Sequence, residues 1–271
     1  MDKKPSHFKK VKATPKEGNR TPASTSWGHV APWYDQSVES PDSYQQGLIL
    51  PNLLRLMDIK KDERLLDIAC GQGMFSREFA HSGATVSGTD ISSELIDIAE
   101  DKSRNLNANF YVAPANDQRM ILDADFDKAA CVLALQDIDD LSGTLKEAHR
   151  ALKPGGLFYA VINHPAFRIP KRSAWGIDDA KRIQFRREDE YMSEARIRLD
   201  VHPGSKIKDA ETTYFHRPLQ VFFKALEKAG FVVVRLEEWV SPKKSEGPKA
   251  EMENKARREF PLFLAFVARK G

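Results

Sequence analysis

The chain has 271 residues and a charged fraction of 30 %, but a net charge of only +3, which gives no argument for nucleic acid or a membrane surface as partner. No apolar run approaches the roughly 20 residues that span a bilayer, and no signal-peptide core follows Met1. The two cysteines, Cys70 and Cys131, do not indicate a disulfide framework, so we expect a cytoplasmic protein.

The chain is predicted to begin with a disordered basic tail at residues 1–26. This stretch is rich in lysine, has few apolar residues and is interrupted by prolines. Such a tail could contact RNA or acidic lipid, although a solvated segment is the simpler interpretation. Order is predicted to start in residues 27–35, where three aromatic side chains among polar neighbours need a surface to lie on. An apolar helix at residues 48–57 is expected to pack on the edge of a sheet.

The pattern that organises the chain lies between Leu65 and Asp90. A short apolar strand containing Asp67 leads into a turn with Gly71 and Gly73, and a helical pattern follows. Glycine lets the backbone of such a turn approach a ligand closely. A second strand ends at Asp90. In a parallel sheet both carboxylates would lie at the carboxyl edge, where open α/β sheets bind ligands.

Strands and helices continue to alternate along the rest of the chain. Strands are predicted at residues 109–113, 126–135, 157–162, 231–236 and 261–268, and helices start after Ser92, near Leu141 and at Pro218. This alternation predicts an α/β fold with a doubly wound sheet. Residues 165–215 form an insertion rich in arginine and aromatic residues, with segments that alternate like exposed strands. Since it follows the carboxyl end of a strand, we expect it to cover the active-site edge as a lid, together with the charged loop at residues 241–259.

The segment from Asp67 to Gly73 resembles motif I of the class I S-adenosylmethionine-dependent methyltransferases, and Asp90 resembles the acidic ribose ligand of that family. Residues 33–35 resemble a segment that precedes motif I in the small-molecule, ubiquinone/menaquinone-type members. The resemblance covers roughly residues 27–271 and implies a Rossmann-like seven-stranded sheet, mostly parallel, with the last strand antiparallel.

The glycine turn allows two other interpretations. One is a strand, turn and helix with no ligand. The other is a dinucleotide-dependent dehydrogenase, because Gly71-x-Gly73 is half of a G-x-G-x-x-G fingerprint. The dehydrogenase pattern needs a third small residue, which Ser76 only partly supplies, and it does not require a carboxylate at Asp67.

The resemblance implies S-adenosyl-L-methionine as cofactor and names no metal ligand. Asp67 would attract the ammonium group, Asp90 would accept the ribose hydroxyls, and the glycine turn would meet the carboxylate. The motif after the third strand departs from the family, since Pro114 stands where an acidic residue is common. The expected cofactor-binding residues are Tyr34, Asp67, Ala69, Gly71, Gly73, Asp90, Ile91, Ala115, Asn116, Leu133 and Gln136.

The predicted activity is methyl transfer to an oxygen or carbon atom of a small organic acceptor, by in-line displacement. His164, directly after the fifth strand, is the candidate general base, and His216 is a second candidate; each is otherwise a turn or packing residue. The alternatives are a methyltransferase for RNA or another macromolecule, and a non-catalytic S-adenosylmethionine-binding protein. The oligomeric state is left open.

Overall fold

The computed structural model describes residues 27–119, 125–200 and 211–271, so the tail predicted at residues 1–26 lies outside the described residues. The α-helices are α1 (Ala31–Glu39), α2 (Leu50–Met57), α3 (Met74–His81), α4 (Ser93–Lys102), α5 (Leu141–Ala151), α6 (Leu219–Ala229) and α7 (Ala250–Glu259). The strands are β1 (Arg64–Ile68), β2 (Thr85–Asp90), β3 (Ala108–Val112), β4 (Phe126–Val132), β5 (Leu152–Asn163), β6 (Ser173–Asp178), β7 (Ile183–Glu188), β8 (Ala195–Asp200), β9 (Glu211–His216), β10 (Phe231–Trp239) and β11 (Phe263–Lys270).

The described residues form a seven-stranded sheet in the order β10-β11-β5-β4-β1-β2-β3. Strands β1 to β5 pair in parallel, whereas β11 runs antiparallel to both of its neighbours, β5 and β10. The predicted fold class, including the antiparallel last strand, is confirmed. Because the parallel strands share one direction, their carboxyl ends and the loops after them meet at one edge of the sheet.

Helices cover both faces of the sheet, and successive side chains of β4 alternate between the two resulting cores. Ala129 and Cys131 belong to the core beneath α5 and α6, whereas Ala130 and Val132 belong to the core beneath α2 and α3. A strand that is buried on both faces has a nearly continuous apolar sequence, which is what residues 129–135 display. Among the described residues, none of the helices is long and apolar enough to cross a membrane.

Several element boundaries differ from the sequence prediction. The fourth strand ends at Val132 and not at residue 135, because Leu133 takes a left-handed conformation (φ 56°) that turns the chain out of the sheet. Residues 31–39 form the helix α1, in which Pro32 occupies the first turn, and residues 250–259 form the helix α7 within the loop expected at residues 241–259. Ser92 caps α4 as predicted, with its hydroxyl accepting a hydrogen bond from the amide of Leu95 at 3.3 Å.

The insertion after β5 consists of two antiparallel hairpins, β6–β7 and β8–β9. Its far end is attached to the loop that follows β4. The amide of Phe215 donates to the carbonyl of Gln136 at 2.6 Å. The guanidinium of Arg217 donates to the carbonyls of Leu135, Ile138 and Asp139 at 2.7–3.2 Å. These bonds hold the second hairpin over the carboxyl edge of the sheet.

Candidate active site

The loop between β1 and α3 reaches the sheet edge through a series of left-handed residues. Ala69, Gly71 and Gly73 have φ values of 56°, 58° and 80°. A Cβ on Gly71 would lie 3.4 Å from the Tyr34 ring, so glycine leaves room for α1 to pack directly over the loop. The amide of Gly71 donates to Oδ2 of Asp90 at 2.9 Å, which ties the turn to the end of β2.

Asp90 is the carboxylate at the end of β2, and it is 8 % exposed. Its Oδ1 accepts a hydrogen bond from the amide of Ser92 at 2.9 Å, and its Oδ2 accepts the one from Gly71. Burial raises the pKa of Asp90, while these amide hydrogen bonds oppose the rise. A carboxylate oxygen has two lone pairs, so each oxygen retains capacity for a ligand hydroxyl.

Asp67 lies one strand away and is more deeply buried, at 2 % exposure. Its Oδ2 accepts a hydrogen bond from the Ser76 hydroxyl at 2.5 Å. Burial raises its pKa to about 7, with the negative charge of Asp90 adding to the rise. A cation placed beside Asp67 would restore its charge, which is the behaviour required of a ligand for an ammonium group.

Two buried amide side chains at this edge have unpaired atoms. Nε2 of Gln72 and Oε1 of Gln136 have no hydrogen-bond partner within the part of the chain that the structure describes. Both residues line cavities at the sheet edge, Gln72 beside Asp67 and Gln136 beside Asp90. Buried polar groups are normally hydrogen-bonded, so one unpaired donor and one unpaired acceptor indicate a polar ligand between them. S-adenosylmethionine fits, since its carboxylate can accept from Gln72 and its amino groups can donate to Gln136.

The main cavity, of about 470 Å³, runs along the carboxyl edge beneath α1 and the second hairpin. Seven of the predicted cofactor residues line it: Tyr34, Ala69, Gly71, Asp90, Ile91, Leu133 and Gln136. Asp67 lines the small adjoining cavity together with Tyr34 and Gln72. The structure therefore brings together most of the site that the sequence predicted.

Three other predicted cofactor residues are placed elsewhere. Gly73 packs against the core, since a Cβ there would be 2.9 Å from that of Ala99 and 3.1 Å from the Phe110 ring. Ala115 packs against the core beneath α5, and Asn116 donates to Asp140, the N-cap of α5, at 2.9 Å. None of these three lines the cavities at the sheet edge.

His164 does not occupy the position expected of a general base. Its ring is 1 % exposed and lies outside the cavity lining. Nδ1 accepts a hydrogen bond from the amide of Ala166 at 3.2 Å, so the proton is on Nε2, which faces Oε1 of Glu238 at 2.8 Å. Burial lowers its pKa. With both nitrogens engaged, the ring has no free acceptor for a substrate proton.

His216, the other candidate, lies outside the main cavity. Its Nε2 contacts the carbonyl of Tyr191 at 2.8 Å, its Nδ1 has no hydrogen-bond partner among the described residues, and the ring lines a separate cavity beside α5 and α6. The neighbouring Arg217 belongs to the connection between β9 and the β4–α5 loop. This position separates His216 from the edge at which Asp90 lies.

Asp137, Arg168 and Tyr214 are among the polar residues of the main cavity that sequence reasoning missed. Asp137 follows β4, and burial raises its pKa to about 8. The sequence feature that could have identified Asp137 is a carboxylate just beyond the end of a predicted strand, adjacent to Gln136. Arg168 and Tyr214 belong to the insertion, where the sequence offers many arginines and aromatics and no local feature separates these two from the others.

This geometry defines a Rossmann-like α/β protein with a cavity at the carboxyl edge of its sheet, and comparison with known proteins agrees on the fold. Residues 66–160 match the family described as "Methyltransferase domain". A ubiquinone biosynthesis O-methyltransferase from Coxiella burnetii is 32 % identical over 131 residues, which are 46 % of this chain and 56 % of that protein. A demethylmenaquinone methyltransferase from Tropheryma whipplei is 31 % identical over 112 residues, which are 41 % of this chain and 46 % of that protein.

Among solved structures, a S-adenosylmethionine-dependent methyltransferase from Mesorhizobium loti matches with a TM-score of 0.66 and 25 % identity, covering 84 % of this chain and 99 % of that one. Together these matches support a class I S-adenosylmethionine-dependent methyltransferase. The chain spans about half the length of the curated relatives it matches.

Proposed function

We propose that this protein transfers a methyl group from S-adenosylmethionine to an oxygen or carbon atom of a small organic acceptor. The observation that carries the proposal is the continuous cavity that joins the Gly71–Asp90 edge to an aromatic-lined space beneath the insertion. The quinone-pathway names of the matched relatives support a small acceptor, and the free thiols of Cys70 and Cys131 fit the cytoplasm as compartment.

The cofactor supplies an electrophilic methyl group on a sulfonium when it is bound. Asp90 would hold the ribose hydroxyls, Asp67 the ammonium, and Gln72 with the turn the carboxylate. Tyr34 closes the crevice over the turn, and its ring packs edge-to-face on Trp27 with centroids 5.3 Å apart. Aromatic side chains such as these would exclude water from the crevice. Their cation–π attraction for the sulfonium would contribute about 0.5–2 kcal/mol. These residues position two reactants, which is the main demand of a displacement at carbon.

Asp137 is the side chain that we propose as general base in place of His164. It lines the cavity after β4, the strand between the cofactor edge at β1 and the insertion that follows β5. A raised pKa of about 8 makes its carboxylate a better proton acceptor than an ordinary aspartate. The proton of an acceptor hydroxyl or acidic C–H would be taken by an Oδ atom of Asp137.

Cofactor choice gives the first test. We expect the purified protein to bind S-adenosylhomocysteine and to show no competing affinity for NAD, because Asp67, Gln72 and Asp90 match an amino acid joined to a nucleoside. Isothermal titration calorimetry with both ligands measures this. Preference for NAD would contradict the proposal, and cofactor binding without methyl transfer across a panel of small phenols and dicarbonyl compounds would favour a non-catalytic binding protein.

Asp90 gives the second test. Asp90→Ala is expected to weaken S-adenosylhomocysteine binding about 10- to 150-fold, because hydrogen bonds to a charged group contribute about 1.5–3 kcal/mol. Asp97→Ala, an exposed aspartate on the following helix, is the matched control and should leave the dissociation constant unchanged. The same calorimetric titration applies. An unaltered affinity in a folded Asp90→Ala protein would remove Asp90 from the site.

A further inference from the structure

The cavity extends across the sheet edge and has two halves, one near the ends of β1 and β2 and one near the start of β11. Gly71 and Asp90 lie at the ends of β1 and β2, whereas Phe263 begins β11. Strand β11 is three strands from β1, which at roughly 4.8 Å per strand places the two ends roughly 14 Å apart. The far half, beneath the insertion, is the part of the cavity that the cofactor-binding residues leave to the acceptor.

Arg168 is the cation of this acceptor half. It is half-buried, and its guanidinium carbon lies 5.1 Å from the centre of the Phe263 ring. Burial lowers its pKa, and the groups that act on it by charge are Tyr214, Tyr44 and Arg186. No carboxylate of the described residues acts on it in this way. Asp200, which lines the same half, is exposed and is absent from that set, and Asp137, with a pKa of about 8, is mainly neutral at pH 7.

Arg168 differs from other arginines of the described residues that are withdrawn from solvent, because no side-chain hydrogen bond or ion pair holds its guanidinium. Arg186 contacts Glu188 at 3.1 Å and Arg77 contacts Glu39 at 2.6 Å, whereas Arg217 donates to backbone carbonyls and Arg257 to the Ser245 hydroxyl. A partly buried charge is normally paired, since desolvating it alone costs several kcal/mol. An unpaired guanidinium in a ligand cavity therefore indicates that the ligand brings the negative charge.

The residues around Arg168 could bind a carboxylate that is attached to an apolar ring or chain. Tyr214 lines the same half and is 3 % exposed; burial raises its pKa, so its hydroxyl stays protonated and can donate. The Tyr44 hydroxyl bonds to that of Ser241 at 2.9 Å, which holds the ring against Phe263. A guanidinium fork matches a carboxylate with two parallel hydrogen bonds, and the aromatic wall accommodates a ring or chain.

We propose that the methyl acceptor is a small organic acid whose carboxylate is bound by Arg168, with Tyr214 as a second donor. This inference rests on the proposed methyltransferase function and specifies its substrate class. The acceptor would extend from Arg168 toward Asp137, so the bound anion determines which acceptor atom lies between the two halves. Arg168 is thus a residue for acceptor specificity and contributes nothing to cofactor affinity.

The test compares benzoate with its neutral isostere benzamide, titrated into the full-length protein saturated with S-adenosylhomocysteine. We expect benzoate to bind more tightly than benzamide, and Arg168→Gln to weaken benzoate about ten- to hundred-fold while benzamide binding is unchanged. Arg187→Gln is the control, since Arg187 is an exposed arginine of the same insertion, paired with Asp189 at 3.0 Å. It should leave both affinities unchanged.

Two further measurements separate the alternatives. The S-adenosylhomocysteine dissociation constant of Arg168→Gln should equal that of the wild type; a large increase would mean that Arg168 binds the cofactor carboxylate, and would overturn the proposal. The melting temperature of the ligand-free variant should be equal to or above that of the wild type, because an unpaired half-buried charge has been removed. A lower melting temperature, or equal binding of benzoate and benzamide to the wild type, would also overturn it. If S-adenosylhomocysteine itself fails to bind, the proposed function fails instead.

Discussion

Replacing Asp137 by asparagine is expected to lower methyl-transfer turnover about 10²–10⁴-fold, the usual contribution of a general base. The amide retains the shape of the side chain but cannot take a proton at neutral pH. S-adenosylhomocysteine affinity should change little. The matched control is Asp139→Asn, because Asp139 lies two residues further on, is exposed, and pairs with Arg196 at 2.6 Å outside this cavity. Turnover is measured with an acceptor that the wild-type protein methylates.

If Asp137 is the general base, methyl-transfer turnover should increase with pH. Only the ionised carboxylate accepts a proton, so wild-type turnover should rise as the pH passes through about 8 and level off above it. Asp137→Asn should lose that rise. An infrared titration of the ligand-free protein supplies a readout without an acceptor, since a carboxyl group deprotonating near pH 8 should be missing from the variant. Turnover of the variant within a few-fold of the wild type would mean that positioning alone suffices.

Replacing Gly73 by alanine is expected to lower the free energy of unfolding by about 2–5 kcal/mol. Two effects add: the left-handed conformation (φ 80°) costs a non-glycine residue about 1–2 kcal/mol, and the added methyl group overpacks the core by about 1–3 kcal/mol. That methyl group would lie 2.9 Å from the Cβ of Ala99 and 3.1 Å from the Phe110 ring. Both neighbours are buried, so neither can move without a further loss of packing.

Gly155→Ala separates the two effects. Gly155 also has a left-handed conformation (φ 75°), but nothing lies within 4 Å of its Cβ position. It should therefore lose only the conformational part, about 1–2 kcal/mol. Denaturant unfolding of both variants gives the difference, which reports packing at Gly73. Equal losses in the two proteins would show that Gly73 is retained for its backbone angle alone.

The positions of Asp67, Gly71 and Asp90 at one sheet edge could be predicted because their determinants are local. Asp67 and Asp90 end or nearly end apolar strands, and Gly71 lies in the turn between them, so topology alone brings them to one edge. The surroundings of Asn116, which the resemblance placed near the adenine, were harder to predict. Asn116 follows the third strand as expected, but its amide is bound to Asp140 of another loop. A short polar side chain near two competing partners has no sequence signal that identifies which one it takes.

The direction of the His164 ring was also not predictable, because it depends on contacts with distant residues. Its position directly after β5 was predicted correctly, although β5 ends at Asn163, one residue beyond the predicted strand. The direction of its ring depends on Glu238, 74 residues later, and on the local turn that presents the Ala166 amide. A strand-end position therefore specifies the edge at which a side chain lies, but not the direction in which its polar atoms point.

The sequence by itself determined the alternating strands and helices of the sheet and the glycine turn after β1, because strand burial, turn geometry and helix capping act over a few neighbouring residues. The antiparallel last strand was implied only by the resemblance to the methyltransferase family. The tertiary structure decided which side chains line the part of the cavity beneath the insertion. Asp137, Arg168 and Tyr214 come from three separate segments, and they meet only because the second hairpin is bound to the β4–α5 loop by Phe215 and Arg217. Such long-range pairing depends on packing between distant elements, and local sequence patterns carry no record of it.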